Sequence, residues 1–257
     1  MSVSISPIPA FQDNYIWLLE DTQHRAVVVD PGDAEPVQAV LAERGLDLHA
    51  ILITHHHPDH VGGVLTLKTA TGCKVYGPRN PEIEGIDHPL KDGDQIDVLG
   101  ESFEVLEVGG HTLDHIAYLS HTSEPALFCG DTLFVAGCGR MFEGTPPLMY
   151  QSLARLAALP PQTAVYCAHE YTLANLAFAR AAEPGNSAIT ARIEDLETVR
   201  AAGEPTVPSS IAWELKTNPF LRCGEPTIVE QLQREDRLTG DAPHEIFAAL
   251  RRWKDNF

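Results

Sequence analysis

Residues 54 to 60 read Thr-His-His-His-Pro-Asp-His. From His55 onward the pattern is His-x-His-x-Asp-His, four metal-ligand side chains directly after the apolar run Ala50-Ile51-Leu52-Ile53. Imidazole suits zinc, iron and other borderline metals, and a carboxylate tolerates most divalent ions. Polar groups gathered at a strand end are costly to bury unless something satisfies them. A solvated histidine-rich loop is the competing reading, but such a run has no reason to interpose Asp59 at a fixed step. The heptad reads as a metal site.

In an extended segment alternate residues face the same way, so His55 and His57 can converge on one ion. Asp59 and His60, beyond Pro58, are better placed to reach a second ion, and Gly62-Gly63 lets the next helix start close by. Four ligands are too few for two metals. Three more ligand-type residues follow short apolar runs: His111 after Phe103–Val108, Asp131 after Ala126–Phe128, and His169 after Ala164–Tyr166. One histidine near a strand end is usually structural or solvated; three such placements beside the heptad are not expected by accident. His56 should point away from its neighbours, and His115 follows on a strand, so both read as structural or supporting. His24, His49, His88, His121 and His244 have no ligand-like neighbours.

Short β-rich runs must carry these groups. Strands are expected at Tyr15–Glu20, Ala26–Asp30, Ala50–Ile53, Lys74–Tyr76, Phe103–Val108, His115–Ser120, Ala126–Cys129 and Ala164–Ala168. Helices are expected between them at Ala34–Arg44, Val61–Thr71 and Leu148–Leu159, with Gly45 closing the first. That mixture indicates a layered α/β fold. After His169 alternation almost disappears. Ile189, Ile193, Leu196 and Val199 mark a helix from near Asn186-Ser187 to Gly203, and further helices are expected at Thr172–Ala182, Pro208–Lys216, Pro226–Arg234 and Pro243–Trp253. The chain divides in character into residues 1–170, an α/β metal-binding domain, and 171–257, a helical domain.

The 257 residues carry 36 Asp plus Glu against 18 Lys plus Arg, a formal net charge of -18. That balance argues against a nucleic-acid surface or general affinity for anionic membranes. An anionic substrate would need a local basic cluster. No apolar run approaches the roughly 18 residues of a membrane span, and the first residues have no secretory pattern. The five cysteines are irregularly spaced and read as reduced thiols. A cytoplasmic protein is the expectation, acting as a monomer.

His-x-His-x-Asp-His, Gly110-His111-Thr112, Gly130-Asp131-Thr132 and the late His169 together resemble the metallo-β-lactamase superfamily across the first 170 residues. The resemblance implies an αββα sandwich with a two-metal site at one edge. It implies that His55, His57 and His111 hold one metal, that Asp59, His60 and His169 hold the other, and that Asp131 bridges. The physics agrees: two dications about 4 Å apart need a shared anion, and a water under both should ionise near neutral pH to give a hydroxide nucleophile. Asp30 resembles the superfamily's early aspartate and is expected to brace the site. The ligand set accepts zinc first, with iron or manganese as alternatives.

Gly130-Asp131-Thr132-Leu133-Phe134-Val135-Ala136-Gly137-Cys138-Gly139-Arg140 is similar to the glyoxalase II, or hydroxyacylglutathione hydrolase, family almost residue for residue. So are Cys167-Ala168-His169-Glu170-Tyr171-Thr172 and Leu250-Arg251-Arg252-Trp253-Lys254-Asp255. This resemblance spans the chain and implies a thioester hydrolase cleaving an S-(2-hydroxyacyl)glutathione, such as S-D-lactoylglutathione, in methylglyoxal detoxification. Arg140, Tyr171, Arg251 and Lys254 would then hold the glutathione part, gathering cations where its carboxylates land. Asp59 would orient the nucleophile. Phe142 stands where some family members carry tyrosine, so a ring can line the pocket but no hydroxyl is offered there. The rival readings are a lactonase or β-lactamase of the same fold, a nuclease, an iron-dependent persulfide dioxygenase, and a metal-binding protein without catalysis. The first lacks a use for Arg251 and Lys254, the second is opposed by the charge, and the third by a full second ligand set.

Overall fold

A computed structural model describes residues 3–122 and 124–257. Two antiparallel strands open the chain, β1 (Val3–Ala10) and β2 (Asn14–Asp21), with Ala10 opposite Asn14. β3 (Arg25–Val29) pairs back on β2, and α1 (Ala34–Arg44) crosses over to β4 (Asp47–Leu52), which lies parallel to β3. α2 (Pro58–Val61) and α3 (Val64–Thr71) lead into β5 (Lys74–Pro78) and β6 (His88–Leu90), completing a six-stranded sheet in chain order. α1 forms as expected: the Asp33 side chain accepts the Glu35 N–H at its start, and Gly45 closes it at φ 64°.

The central strands β2 and β3 are buried on both faces and so read as nearly unbroken apolar runs. Leu18, Val28 and Ile51 share one core cluster with Val37 and Leu41 of α1 and Val64 and Leu67 of α3. Their neighbours Trp17, Leu19, Val27, Val29 and Leu52 point to the opposite face and are equally buried. An antiparallel ribbon follows, β7 (Gln95–Val98), β8 (Glu101–Glu107), β9 (Ile116–Ser120) and β10 (Ala126–Gly130), adjacent in that order. The buried Tyr118 of β9 ties it to the first sheet by donating its hydroxyl proton to Ile53 O at 2.8 Å. Burial pushes that phenol well above its ordinary range, so it stays a donor.

By internal packing, the residues up to Val108 form one compact unit with Asp114–Gly130, and Gly109–Leu113 form a second with Asp131–Phe257. The second unit contains the short hairpin β11 (Leu133–Phe134) and β12 (Gly137–Cys138), then α4 (Pro146–Ala157) and β13 (Ala164–Cys167). The rest is almost all helix: α5 (Thr172–Ala182), α6 (Ser187–Ala201), α7 (Ile211–Thr217), α8 (Pro226–Arg234) and α9 (Pro243–Asp255). A two-residue strand, β14 (Ser209–Ser210), pairs with β13. Buried ions organise this helical part. Arg192 of α6 meets Glu214 of α7 at 2.9 Å. Glu183, just past α5, accepts from Arg222, from Asn186 at the start of α6 and from Thr227 of α8.

The helix expected over Val61–Thr71 starts earlier and is broken. Pro58 begins α2, where its fixed φ suits the first helical position, and Gly62-Gly63 separates α2 from α3. Asp59 and His60 therefore stand on a helical turn. The helix expected from Pro208 begins only at Ile211, because Ser209 and Ser210 are taken up in pairing with β13, and Ser210 then caps it. β1 is absent from the expected strands. It is an edge strand, which tolerates Pro7 and Pro9, and half of its residues are only half buried, so its alternation is faint.

Candidate metal centre

In the first unit the site grows from the end of β4. The Thr54 N–H and hydroxyl both donate to the Asp30 carboxylate, each at 2.7 Å. The same carboxylate holds His60, whose Nδ1 lies 3.0 Å from Asp30 Oδ2. A carboxylate only accepts, so His60 Nδ1 carries the proton and Nε2 keeps the lone pair that binds metals. Asp30 takes φ 53°, a left-handed conformation that costs a non-glycine residue on the order of 1 kcal/mol. The carboxylate thereby braces both Thr54 and His60.

His55 Nδ1 stands 3.0 Å from Thr54 Oγ1, and its Nε2 lies 3.1 Å from His57 Nδ1. Two imidazole nitrogens at that separation cannot both carry protons, so at least one lone pair is directed into the gap. His60 Nε2 is 3.4 Å from Asp59 Oδ2, and ligand atoms of Asp30, His55 and His60 lie within 4.8 Å of one another. His115, just before β9, stacks under His55 with ring centroids 4.5 Å apart. His56 turns aside to Asp114, with Nδ1 2.9 Å from Oδ1, and Asn80 holds the other Asp114 oxygen. The loop after Asp30 lies flat against the ligand turn: a Cβ on Gly32 would fall 1.8 Å from the Asp59 carbonyl oxygen. Only glycine fits there.

In the second unit three more predicted ligands come together. His111 Nδ1 donates to Arg140 O at 2.7 Å, which leaves Nε2 facing Asp131 Oδ2 at 3.4 Å. The other oxygen, Asp131 Oδ1, faces His169 Nε2 at 3.3 Å. One carboxylate thus addresses two imidazoles through separate oxygens, and all three side chains are buried. Gly139 packs against this carboxylate's own backbone, where a Cβ would lie 1.9 Å from Asp131 O.

The residues expected to bind substrate line the same unit. Tyr171 stacks on His169, and Phe142 sets its edge to His111 at 5.3 Å between centroids. Arg251 is buried, donates to Cys138 O at 2.9 Å and to Asp255 Oδ1 at 3.0 Å, and lies over the Phe220 ring. Arg140 Nε reaches the same Asp255 oxygen at 3.3 Å. Lys254 donates to Ala174 O at 3.1 Å. Burial, and then the charge of Arg251, hold its ammonium below the ordinary lysine range. Two cations packed against one acid leave that corner short of negative charge.

In each unit imidazole nitrogens and carboxylate oxygens, with the outer nitrogens of His55 and His60 in the first and of His111 in the second fixed by neighbours, are donors that suit divalent borderline metals. The sequence reading did not reach Asn14, whose amide donates to Asp59, nor Asp114 behind His56, nor Asp255 between the arginines. Nothing in their spacing distinguishes them from turn or surface residues.

Residues 11–169 match the family model described as the metallo-beta-lactamase superfamily, and residues 170–257 match that of the hydroxyacylglutathione hydrolase C-terminus. A hydroxyacylglutathione hydrolase of Pseudomonas aeruginosa (strain LESB58) is 54% identical over 257 residues, covering 99% of this chain and 100% of that protein. The chain belongs to the hydroxyacylglutathione hydrolase family. Its architecture is that family's, a metallo-β-lactamase fold followed by a helical C-terminal domain. The crystal structure of ETHE1 from Myxococcus xanthus superposes with a TM-score of 0.65 at 27% identity, covering 99% of this chain and 98% of that one. TTHA1623, solved in a di-iron-bound form, gives a TM-score of 0.61 at 26% identity, covering 85% and 100%. Among the described residues no helix is long and apolar enough to cross a membrane.

Proposed function

We propose that this protein hydrolyses S-(2-hydroxyacyl)glutathione thioesters, S-D-lactoylglutathione among them, to a 2-hydroxy acid and glutathione. Family membership supports the reaction class. The observation that carries it to this chain is the Asp131 carboxylate, set between His111 and His169, beside Phe142 and Tyr171. His55, His57 and His111 would hold one divalent ion and Asp59, His60 and His169 a second, with Asp131 shared. Zinc is the ion we assign, with iron or manganese as substitutes. When bound, such a pair supplies Lewis acidity toward a thioester carbonyl and lets water ionise near neutral pH.

The chain's own groups do the rest. Asp30, Thr54 and the Arg140 carbonyl fix which ring nitrogen of His60, His55 and His111 is free to bind. Asp59 and Asp131 would supply the negative charge that offsets the repulsion between two bound cations. Arg140, Arg251 and Lys254 would receive the carboxylates of glutathione, with Tyr171 and Phe142 flanking the acyl thioester. Hydrolysis forms a C–O bond, breaks the C–S bond and releases a thiolate, a leaving group that needs no strong general acid. We assign catalysis to residues 1–170 and thioester binding mainly to 171–257, a division supported by the two family matches meeting between 169 and 170. Five buried thiols suit a reducing compartment, and we place the protein in the cytoplasm as a monomer.

Cleavage of S-D-lactoylglutathione by a preparation of measured metal content tests this reading. Turnover that scales with bound metal is expected. Ready opening of a β-lactam or lactone with the thioester left intact would replace it with the rival hydrolase.

A further inference from the structure

Asn14 opens β2 immediately after the turn Phe11-Gln12-Asp13, which returns the chain from β1. Turn asparagines normally face water and hydrogen-bond their own backbone. This one is 8% exposed, and its Nδ2 donates to Asp59 Oδ2 at 3.0 Å across 45 positions of sequence. An ionised carboxylate offers no proton, so the amide nitrogen, not its oxygen, must face Asp59. Such a charge-assisted bond is stronger than a neutral one. Phe11 beside it holds φ 52°, so the turn that aims Asn14 keeps a strained backbone of the kind found next to functional groups.

Asp59 needs such a partner. Its side chain is 41% exposed on a four-residue helix, far less enclosed than His55 or His60. We propose that Asn14 is the positioning residue for Asp59: by occupying one carboxylate oxygen it holds the side chain in one orientation for the second ion. The inference rests on the assignment of Asp59 as a ligand made above. It makes the β1–β2 hairpin, which contributes no ligand itself, part of the second-ion site.

The test is the zinc content of purified protein dialysed against graded chelator, with Asn14→Leu, similar in size but without a donor, and Asn14→Ala as a smaller second variant. Circular dichroism and Tm identify folded preparations. The expected result is loss of one zinc at roughly ten- to a hundredfold weaker chelation than in the unaltered protein, the usual effect of removing a partner behind a ligand. The other zinc should be retained as before. If the unaltered protein itself never holds two divalent ions, whether zinc, iron or manganese, the two-metal assignment fails, whatever Asn14 does. If it holds two and either folded variant holds both equally well, the role of Asn14 is overturned. Equal loosening of both ions also overturns it, since that would mark a general effect on the site.

Discussion

Tyr171 lies flat on His169, with ring centroids 4.8 Å apart and planes within 4°. The phenol therefore offers two separable features, a ring that steadies an imidazole and, under the proposed function, a hydroxyl that would meet substrate. Tyr171→Phe keeps the ring and should raise KM by roughly two- to tenfold, a lost hydrogen bond of about 0.5–1.5 kcal/mol, with metal content unchanged. Tyr171→Ala removes the stack as well and should also loosen metal held by His169. Steady-state kinetics paired with metal analysis separates the two, and identical behaviour of both variants would remove the stack from the account.

Asp131 presents one oxygen to His111 and the other to His169. Asparagine keeps the shape and removes the charge. Asp131→Asn should lower kcat by more than the roughly hundredfold typical of residues behind a ligand, and metal-to-protein ratios should drop. Unchanged turnover with full metal content would show that no charge is needed between the histidines.

Lys254 loses its proton at a lower pH than an exposed lysine, through burial first and Arg251 second. Its attraction for a carboxylate is present below that depressed pKa and fades as pH rises through it. KM for the glutathione thioester should therefore climb on the alkaline side while kcat is affected less. Arg251→Met should raise KM at all pH values and, by removing the like charge, move the alkaline limb to higher pH. A pH series of KM for both proteins decides this; a limb that stays in place removes Arg251 as its cause.

Glu183 is buried among Arg222, Asn186 and Thr227. Burial alone would raise its pKa, but hydrogen bonds from Arg222, Asn186 and Thr227 outweigh it and hold the carboxyl below the usual range. The resulting stability is present above the unfolded pKa of about 4.3 and is lost as pH falls through the folded one. Glu183→Gln leaves Arg222 without its counter-charge and should cost about 3–5 kcal/mol. Urea melts at neutral and acidic pH measure both; a variant as stable as the parent at neutral pH would contradict the pairing.

Much of the site was legible because ligand chemistry is local in type even when distant in sequence. His55, His57, Asp59 and His60 announce themselves within one heptad, and Asp131 with His169 follows apolar runs that do become β10 and β13. What stayed hidden are relationships without a local signature. Pro58 opens a helix of only four residues, too short for a hydrophobic period to show, so the helix was expected only from Val61. Asp255 looks like one more acid in a strongly acidic chain until the fold brings Arg140 from 115 positions away. Asn14 reads as turn chemistry because its partner lies beyond the hairpin.

All five cysteines are buried, and burial lifts Cys138 and Cys223 to about 11 and Cys167 to about 12. Thiol–disulfide exchange requires an accessible thiolate. The reaction proposed here liberates a thiol with each turnover, into a pool whose oxidised and reduced forms shift under stress. A chain with no reachable thiolate cannot form a mixed disulfide with that pool. Its working rate should follow thioester supply and remain blind to the redox balance of the product it makes.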